Sequence, residues 1–319
     1  MTKPLLDIRD LCVDYVTPHG PVRAVDRVSL EVKPGEILGI AGESGSGKTT
    51  LAQALLRILP PPAVISGGEV WFEGSDILAL DEPELRAMRW RRMSMVFQSA
   101  MDALNPVVTI GEQIVDTLRA HGGSTPRSAR ARAGELLETV GIPRDRIDGY
   151  AHQLSGGMRQ RVGIALALAL EPALIILDEP ITALDVIVER EILEQIRVLQ
   201  RRLGFAVLFI THDLARMLQV SDRVAVFYAA RLAEVAPAAA LRRAPRHPYT
   251  QGLLRAFPTV HPGGEEPESI PGSPPSLRNP PPGCRFHPRC DRAVDKCREL
   301  TPELRPLGAG HFGACHLAE

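Results

Sequence analysis

Three short stretches of this 319-residue chain carry side chains whose types and spacing suit work on a phosphorylated ligand. Gly42-Glu-Ser44-Gly45-Ser46-Gly47-Lys48-Thr49 has the spacing G-x-x-x-x-G-K-[ST], followed by Thr50. Its glycines let the backbone curl so that successive N–H groups face a phosphate. Lys48 would span the β- and γ-phosphates, and the Thr49 hydroxyl would ligate Mg²⁺. Ile175-Ile-Leu-Asp178-Glu179 is an apolar run that ends in two carboxylates. Asp178 suits the Mg²⁺ shell, while Glu179, pointing differently, would polarise a water for attack. An acidic strand end alone is an ordinary turn; beside a phosphate loop it reads as catalytic. Leu154-Ser155-Gly156-Gly157-Met158-Arg159-Gln160-Arg161 puts Ser-Gly-Gly just before a helix, which makes a second anion-binding helix terminus. One chain has no need of two such termini on one nucleotide. Two chains set head to tail do, each lending its Ser-Gly-Gly to the other's ATP.

The elements needed to hold these groups are legible around them. Alternating, β-branched residues 5–16 and 22–32 predict two strands joined by a turn at Thr17-Pro-His-Gly20. Ile37–Ala41 predicts a buried parallel strand, followed by the Gly-rich loop and a helix over 49–58. Residues 68–72 read as a strand and 107–141 as mostly helical. A helix over 157–169 runs into a strand at 174–177, an amphipathic helix spans 188–203, and strands follow at 206–210 and 224–228. Strand–helix alternation around apolar strands predicts an α/β sandwich.

Charge and composition exclude several classes. With 37 Lys+Arg against 38 Asp+Glu the formal charge is −1, which argues against a nucleic-acid partner held by bulk charge. No uncharged run reaches the roughly 18–20 residues that cross a bilayer. The longest strongly apolar stretch, Val162–Leu170, is closed off by Arg161 and Glu171. The N-terminus carries charges where a signal peptide needs its apolar region, so the expected compartment is the cytoplasm. Two features are lopsided. Of 28 prolines, 15 lie in 237–319, and of five cysteines, four (Cys284, Cys290, Cys297 and Cys315) lie in the last 36 residues. Reduced cytosolic thiols gathered in this way suggest a metal more than disulfides.

On the phosphate loop, the Asp178-Glu179 strand end and the Leu154–Arg161 stretch, residues 5–235 resemble the ATP-binding subunit of an ABC transporter. The resemblance implies a P-loop NTPase fold with a RecA-like core, an antiparallel β subdomain and a helical subdomain at about 98–157. Gln98, in Val96-Phe97-Gln98, resembles the Q-loop glutamine that senses Mg²⁺ and the transmembrane partner. Asp185, in Ala183-Leu184-Asp185, resembles the D-loop residue of the dimer interface. His212 resembles the switch histidine at the γ-phosphate, with helix capping as its bland alternative. Tyr15 sits where the family stacks an aromatic on adenine. Ile181 and Ala230 depart from the family's common Thr and turn Gly, and neither removes a catalytic group. The partners implied are a homologous ATP-binding subunit, two membrane permease subunits and an extracytoplasmic substrate-binding protein. The resemblance places the chain at the cytoplasmic face of the inner membrane, as a peripheral protein. Two rivals are a soluble ABC ATPase acting in DNA repair or translation and a non-catalytic regulatory module. The first usually shows coiled-coil insertions or tandem ATPase units, and the second does not explain intact Lys48, Asp178, Glu179 and His212.

The remaining residues, 236–319, read as a Pro-rich, Cys-rich extension. His247-Pro-Tyr-Thr, Ile270-Pro-Gly-Ser-Pro-Pro275 and Cys284-Arg-Phe-His-Pro-Arg-Cys290 resemble the C-terminal extension of oligopeptide/dipeptide-type ABC ATPase subunits, which implies peptide import. Related systems import oligosaccharides or nickel. The cysteine gaps are longer than the C-x₂₋₄-C pairs of zinc sites, so the preferred expectation is a [4Fe–4S] cluster on the four thiolates. Zinc, with His287 and His316 as spare ligands, and metal-free thiols are the alternatives. Cys12, on an N-terminal strand, reads as a small buried hydrophobe.

Overall fold

The computed structural model describes residues 3–98, 103–122, 125–182, 184–256 and 268–318. It divides into two compact units, one of residues 1–32, 37–78 and 211–319, the other of residues 33–36 and 79–210. Ala183 and residues 258–267 of the Pro-rich stretch lie outside the described residues.

In the first unit the N-terminal alternation forms the strands Leu6–Thr17 and Gly20–Val32, an antiparallel pair closed where Thr17 faces Gly20. Leu6, Ile8, Leu11 and Val13 are buried on it. Ala63–Phe72 and Ser75–Asp76 complete this four-stranded antiparallel sheet. A second set of strands runs in the order Arg305–Gly308, His311–Gly313, Arg231–Pro237, Arg223–Tyr228, Ile37–Ala41. Ile37–Ala41 is wholly buried and pairs in parallel with Arg223–Tyr228, as its unbroken apolar run predicts. Three strands of this set escape the sequence-based expectation. Arg231–Pro237 pairs antiparallel both with Arg223–Tyr228 and with His311–Gly313, and the third is Arg305–Gly308. The Cys-rich extension thus continues the sheet that carries the phosphate loop.

In the second unit Ala206–Thr211, Leu174–Asp178 and Met93–Val96 lie side by side as parallel strands. Helices Ile110–Gly122 and Pro126–Thr139 make up the mostly helical stretch expected over 107–141. Thr125 caps the second of them, with Pro126 at its first position. Gly156–Leu168 and Val186–Leu203 are the remaining long helices there. No helix among the described residues is long and apolar enough to cross a membrane.

Candidate functional site

In the first unit the strand Ile37–Ala41 runs straight into the loop, and the helix Lys48–Leu55 starts at its end. Gly42 has φ +155° and Gly47 φ +107°. A Cβ on Gly47 would stand 2.0 Å from the Ala24 carbonyl oxygen, and one on Gly42 2.1 Å from that of Phe227. Both positions therefore exclude every side chain, by conformation and by space. The loop curls around Lys48, which is buried. Its Nζ donates to the Gly42 carbonyl at 2.8 Å, to the Glu43 carbonyl at 2.9 Å and to Ser46 Oγ at 3.4 Å. Ser46 is buried, whereas Ser44 and Gly45 are exposed at the tip. Thr49 is half-buried in the first helical turn, and the buried Thr50 shares a 3.3 Å hydrogen bond with the Tyr15 hydroxyl. Tyr15 is thus tied to the helix that follows the loop. Beyond the strand Ala206–Thr211, His212 is exposed. Asp213 performs the capping, accepting from the Arg216 amide at 3.0 Å for the helix Leu214–Val220.

In the second unit Asp178 ends the strand Leu174–Asp178 and is 1% exposed, a carboxylate removed from bulk water. Glu179 turns out of the strand with φ +47°, its amide donating to the Ile210 carbonyl at 2.9 Å. Its Oε2 accepts from Thr182 Oγ1 at 3.0 Å and from Gln98 Nε2 at 3.3 Å. Gln98, just past Met93–Val96, is therefore brought to the same carboxylate that sequence reading assigned to water activation. Ser155 caps the helix Gly156–Leu168, its Oγ accepting from the Met158 amide at 3.3 Å. Gly156 and Gly157 lie inside the first turn rather than before it. A Cβ on Gly157 would stand 2.5 Å from Val188 Cγ1, so this glycine sets the approach of the helix Val186–Leu203. Asp185 caps that helix, accepting from the Ile187 and Val188 amides at 3.1 and 3.0 Å. A separate groove of about 800 Å³ is lined by Trp90, Met95, Phe97, Leu104, Val108 and Gln113 among others. Phe97 is exposed beside it.

The Glu43 amide and carboxylate meet two side chains that the sequence did not point to, Tyr249 and Arg289. The amide donates to the Tyr249 hydroxyl at 3.0 Å, and the carboxylate takes both arms of Arg289 at 2.7 and 3.0 Å. Nothing in the local pattern around residue 43 signals partners more than 200 positions away.

The [4Fe–4S] expectation is not supported. All five cysteines are free thiols, and no group of three or more His, Cys, Asp or Glu side chains among the described residues is arranged to hold a metal ion. Burial pushes the Cys284 thiol up to about 11, with Cys297, Cys315 and Cys290 adding to the rise, and burial raises Cys290 as well. The spare zinc ligands are engaged elsewhere: His287 Nδ1 with the Cys284 carbonyl at 2.9 Å, His316 Nε2 with that of Leu300 at 2.8 Å. Cys12 is buried on its strand, as expected.

Residues 25–182 match the ABC transporter family, and residues 233–297 match the oligopeptide/dipeptide transporter C-terminal region. The chain is 43% identical to the oligopeptide transport ATP-binding protein OppD of Bacillus subtilis, over 97% of this chain and 87% of that protein. It is 42% identical to the dipeptide transport ATP-binding protein DppD of Escherichia coli, over 98% and 96% of the two chains. Among solved structures it resembles the dimeric, post-hydrolysis ATP-binding cassette MJ0796 bound to ADP and Pi. That match has a TM-score of 0.66 and 27% identity, covering 73% of this chain and 98% of that one.

Proposed function

The chain belongs to the ABC transporter family, and from that premise we propose that it is the ATP-hydrolysing subunit of a peptide importer. The observation that carries this reading is the joining, in one chain, of an ATP-binding cassette to the C-terminal region of oligopeptide/dipeptide transporters. Gly42 and Ser44–Thr50 cradle the triphosphate, with Lys48 as its fixed cation, and Tyr15 stacks on the adenine. Thr49, Gln98 and Asp178 carry the hard oxygen donors that would hold Mg²⁺, which would supply positive charge against the phosphates. Glu179 positions and polarises the attacking water, helped by Gln98, and His212 contacts the γ-phosphate. Ser155, Gly156, Gly157 and Asp185 act on the nucleotide of a homologous partner subunit. In this reading residues 1–235 form the ATP-binding domain, with a helical part at about 98–157, and 236–319 the extension. The groove beside exposed Phe97 receives a membrane permease subunit at the inner face of the membrane, and a separate substrate-binding protein supplies the peptide. Its test is uptake of labelled di- and oligopeptides by proteoliposomes carrying the complete transporter with ATP inside. The expected result is ATP-dependent accumulation. ATP turnover without peptide accumulation, or accumulation of an oligosaccharide or nickel instead, would reject the peptide assignment.

A further inference from the structure

Glu43 is the sole acidic residue of the loop Gly42–Thr49, a segment whose task is to receive a polyanion. All three of its polar handles are occupied. The carbonyl accepts from Lys48 Nζ, and the other two handles are held from the C-terminal extension. The Tyr249 hydroxyl receives the amide, and the Arg289 guanidinium forks across the carboxylate. The Arg289 side chain is 6% exposed and that of Glu43 25%, so this pair is largely shielded from water. Arg289 is fixed in turn by its Nε bond to the Pro271 carbonyl at 2.8 Å and by Tyr228 Oη at 3.4 Å.

The same heptapeptide, Cys284–Cys290, holds the loop from behind. Arg285 donates to the Ala229 carbonyl and to Asp26, a buried carboxylate that also takes Arg231 at 2.7 Å. The Asp26 amide donates to the Ala230 carbonyl at 2.9 Å, and the Ala230 amide donates to the Ser46 carbonyl at 2.8 Å. Between the two arginines Phe286 is buried, edge-on to Tyr228 with ring centroids 5.3 Å apart and tilted against Tyr249 at 5.4 Å. Two guanidiniums on an aromatic wedge therefore address the loop at Glu43 and, through Asp26 and Ala230, at Ser46.

We propose that the Cys284–Cys290 segment is a clamp on the phosphate loop, in which Arg289 is a positioning residue that neutralises and holds Glu43 so that the loop accepts a triphosphate. The proposal deepens the ATPase reading above and rests on it. Without Arg289 the carboxylate is a free negative charge on the loop, repelling the ligand and competing for Lys48. The charge acts on nucleotide binding more than on the chemical step, so its loss belongs in KM.

The test is ATP hydrolysis by the complete transporter carrying Arg289→Gln, Glu43→Gln or both. Arg289→Gln is expected to raise KM for ATP about tenfold while kcat stays within about threefold, the size of a lost charge-assisted bond. Adding Glu43→Gln removes the uncovered charge, and the double variant is expected to return KM to within about threefold of wild type. A purely structural arginine would not be rescued in this way. An unchanged KM in Arg289→Gln, or a double variant as impaired as the single one, overturns the clamp. Should Arg289→Gln fail to fold, Glu43→Gln alone decides: KM at or below wild type supports the proposal, and a tenfold rise overturns it. A wild-type transporter with no ATP turnover would instead overturn the ATPase reading.

Discussion

Glu179 stands in a left-handed backbone conformation just past its strand. A non-glycine residue at φ +47° is strained by roughly 1–2 kcal/mol, and Ile210 compensates by receiving its amide. The turn aims the carboxylate at Thr182 and Gln98 instead of letting it continue the strand alternation from Asp178. Gln fills the same space and keeps an oxygen for Thr182, so Glu179→Gln leaves fold and nucleotide binding intact while removing the proposed base. Single-turnover hydrolysis is expected to fall about 10²–10⁴-fold with ATP affinity unchanged. Normal hydrolysis in this variant would strip Glu179 of the role. This residue was legible in the sequence because an apolar run ending in two acids is a local signal. Its left-handed backbone was not, since no residue type at position 179 announces it.

At the scale of elements, the strand Arg231–Pro237 carries the least expected chemistry. Glu234 is fully buried on it and binds His311 Nε2 at 2.6 Å and the Arg246 and His247 amides at 2.6 and 3.1 Å. One carboxylate thus joins this strand, the strand His311–Gly313 and the start of the helix Pro248–Arg255. His247 caps that helix through Nδ1, which accepts from the Tyr249 amide at 3.0 Å. Burial lowers the His247 pKa from 6.5 to about 4, against the opposing pull of Glu234 and of the Ala314 backbone. The unfolded chain therefore takes up a proton near pH 6.5 that the folded chain refuses until about pH 4. The stability from this residue is complete above pH 6.5, declines as pH falls, and is about 3 kcal/mol lower at pH 4. His247→Asn keeps an acceptor for Tyr249 but cannot charge. Its thermal midpoint is expected to lose less than wild type between pH 6.5 and 4.5. Parallel curves would remove His247 as the source. None of this was legible in the sequence. A buried Glu on a strand looks like the polar face of a half-exposed one, and Pro306, Gly308 and Gly310 disguise the short strands that cover it.

Across the whole molecule, what the sequence disclosed is what lies close together along the chain. The phosphate loop, the Asp178-Glu179 strand end and the Ser155 helix start each fit within about ten residues and obey local backbone rules. The Glu43–Arg289 pair, 246 positions apart, obeys none, and the four cysteines could be counted without knowing how their sulfurs are arranged. The head-to-tail pairing of two chains was also inferred from a local stretch, and it leads to the sharpest test at this scale. Ser155 caps the helix Gly156–Leu168 of its own chain. Asp is an equally good cap and suits a helix N-terminus, so Ser155→Asp preserves the fold. It nevertheless sets a negative charge where, in the proposed head-to-tail pair, a partner's triphosphate docks. If this helix start serves the partner's nucleotide, Ser155→Asp keeps its own ATP affinity within about twofold, since the charge is absent from its own loop. Introduced into the Glu179→Gln chain, it is expected to abolish ATP-driven association with the partner ATP-binding subunit in sedimentation velocity. Loss of ATP binding by the isolated chain would instead place Ser155 at its own nucleotide. Undiminished association would show that the helix start takes no part in the interface, because a like charge against phosphate at contact distance is too costly to be absorbed unnoticed.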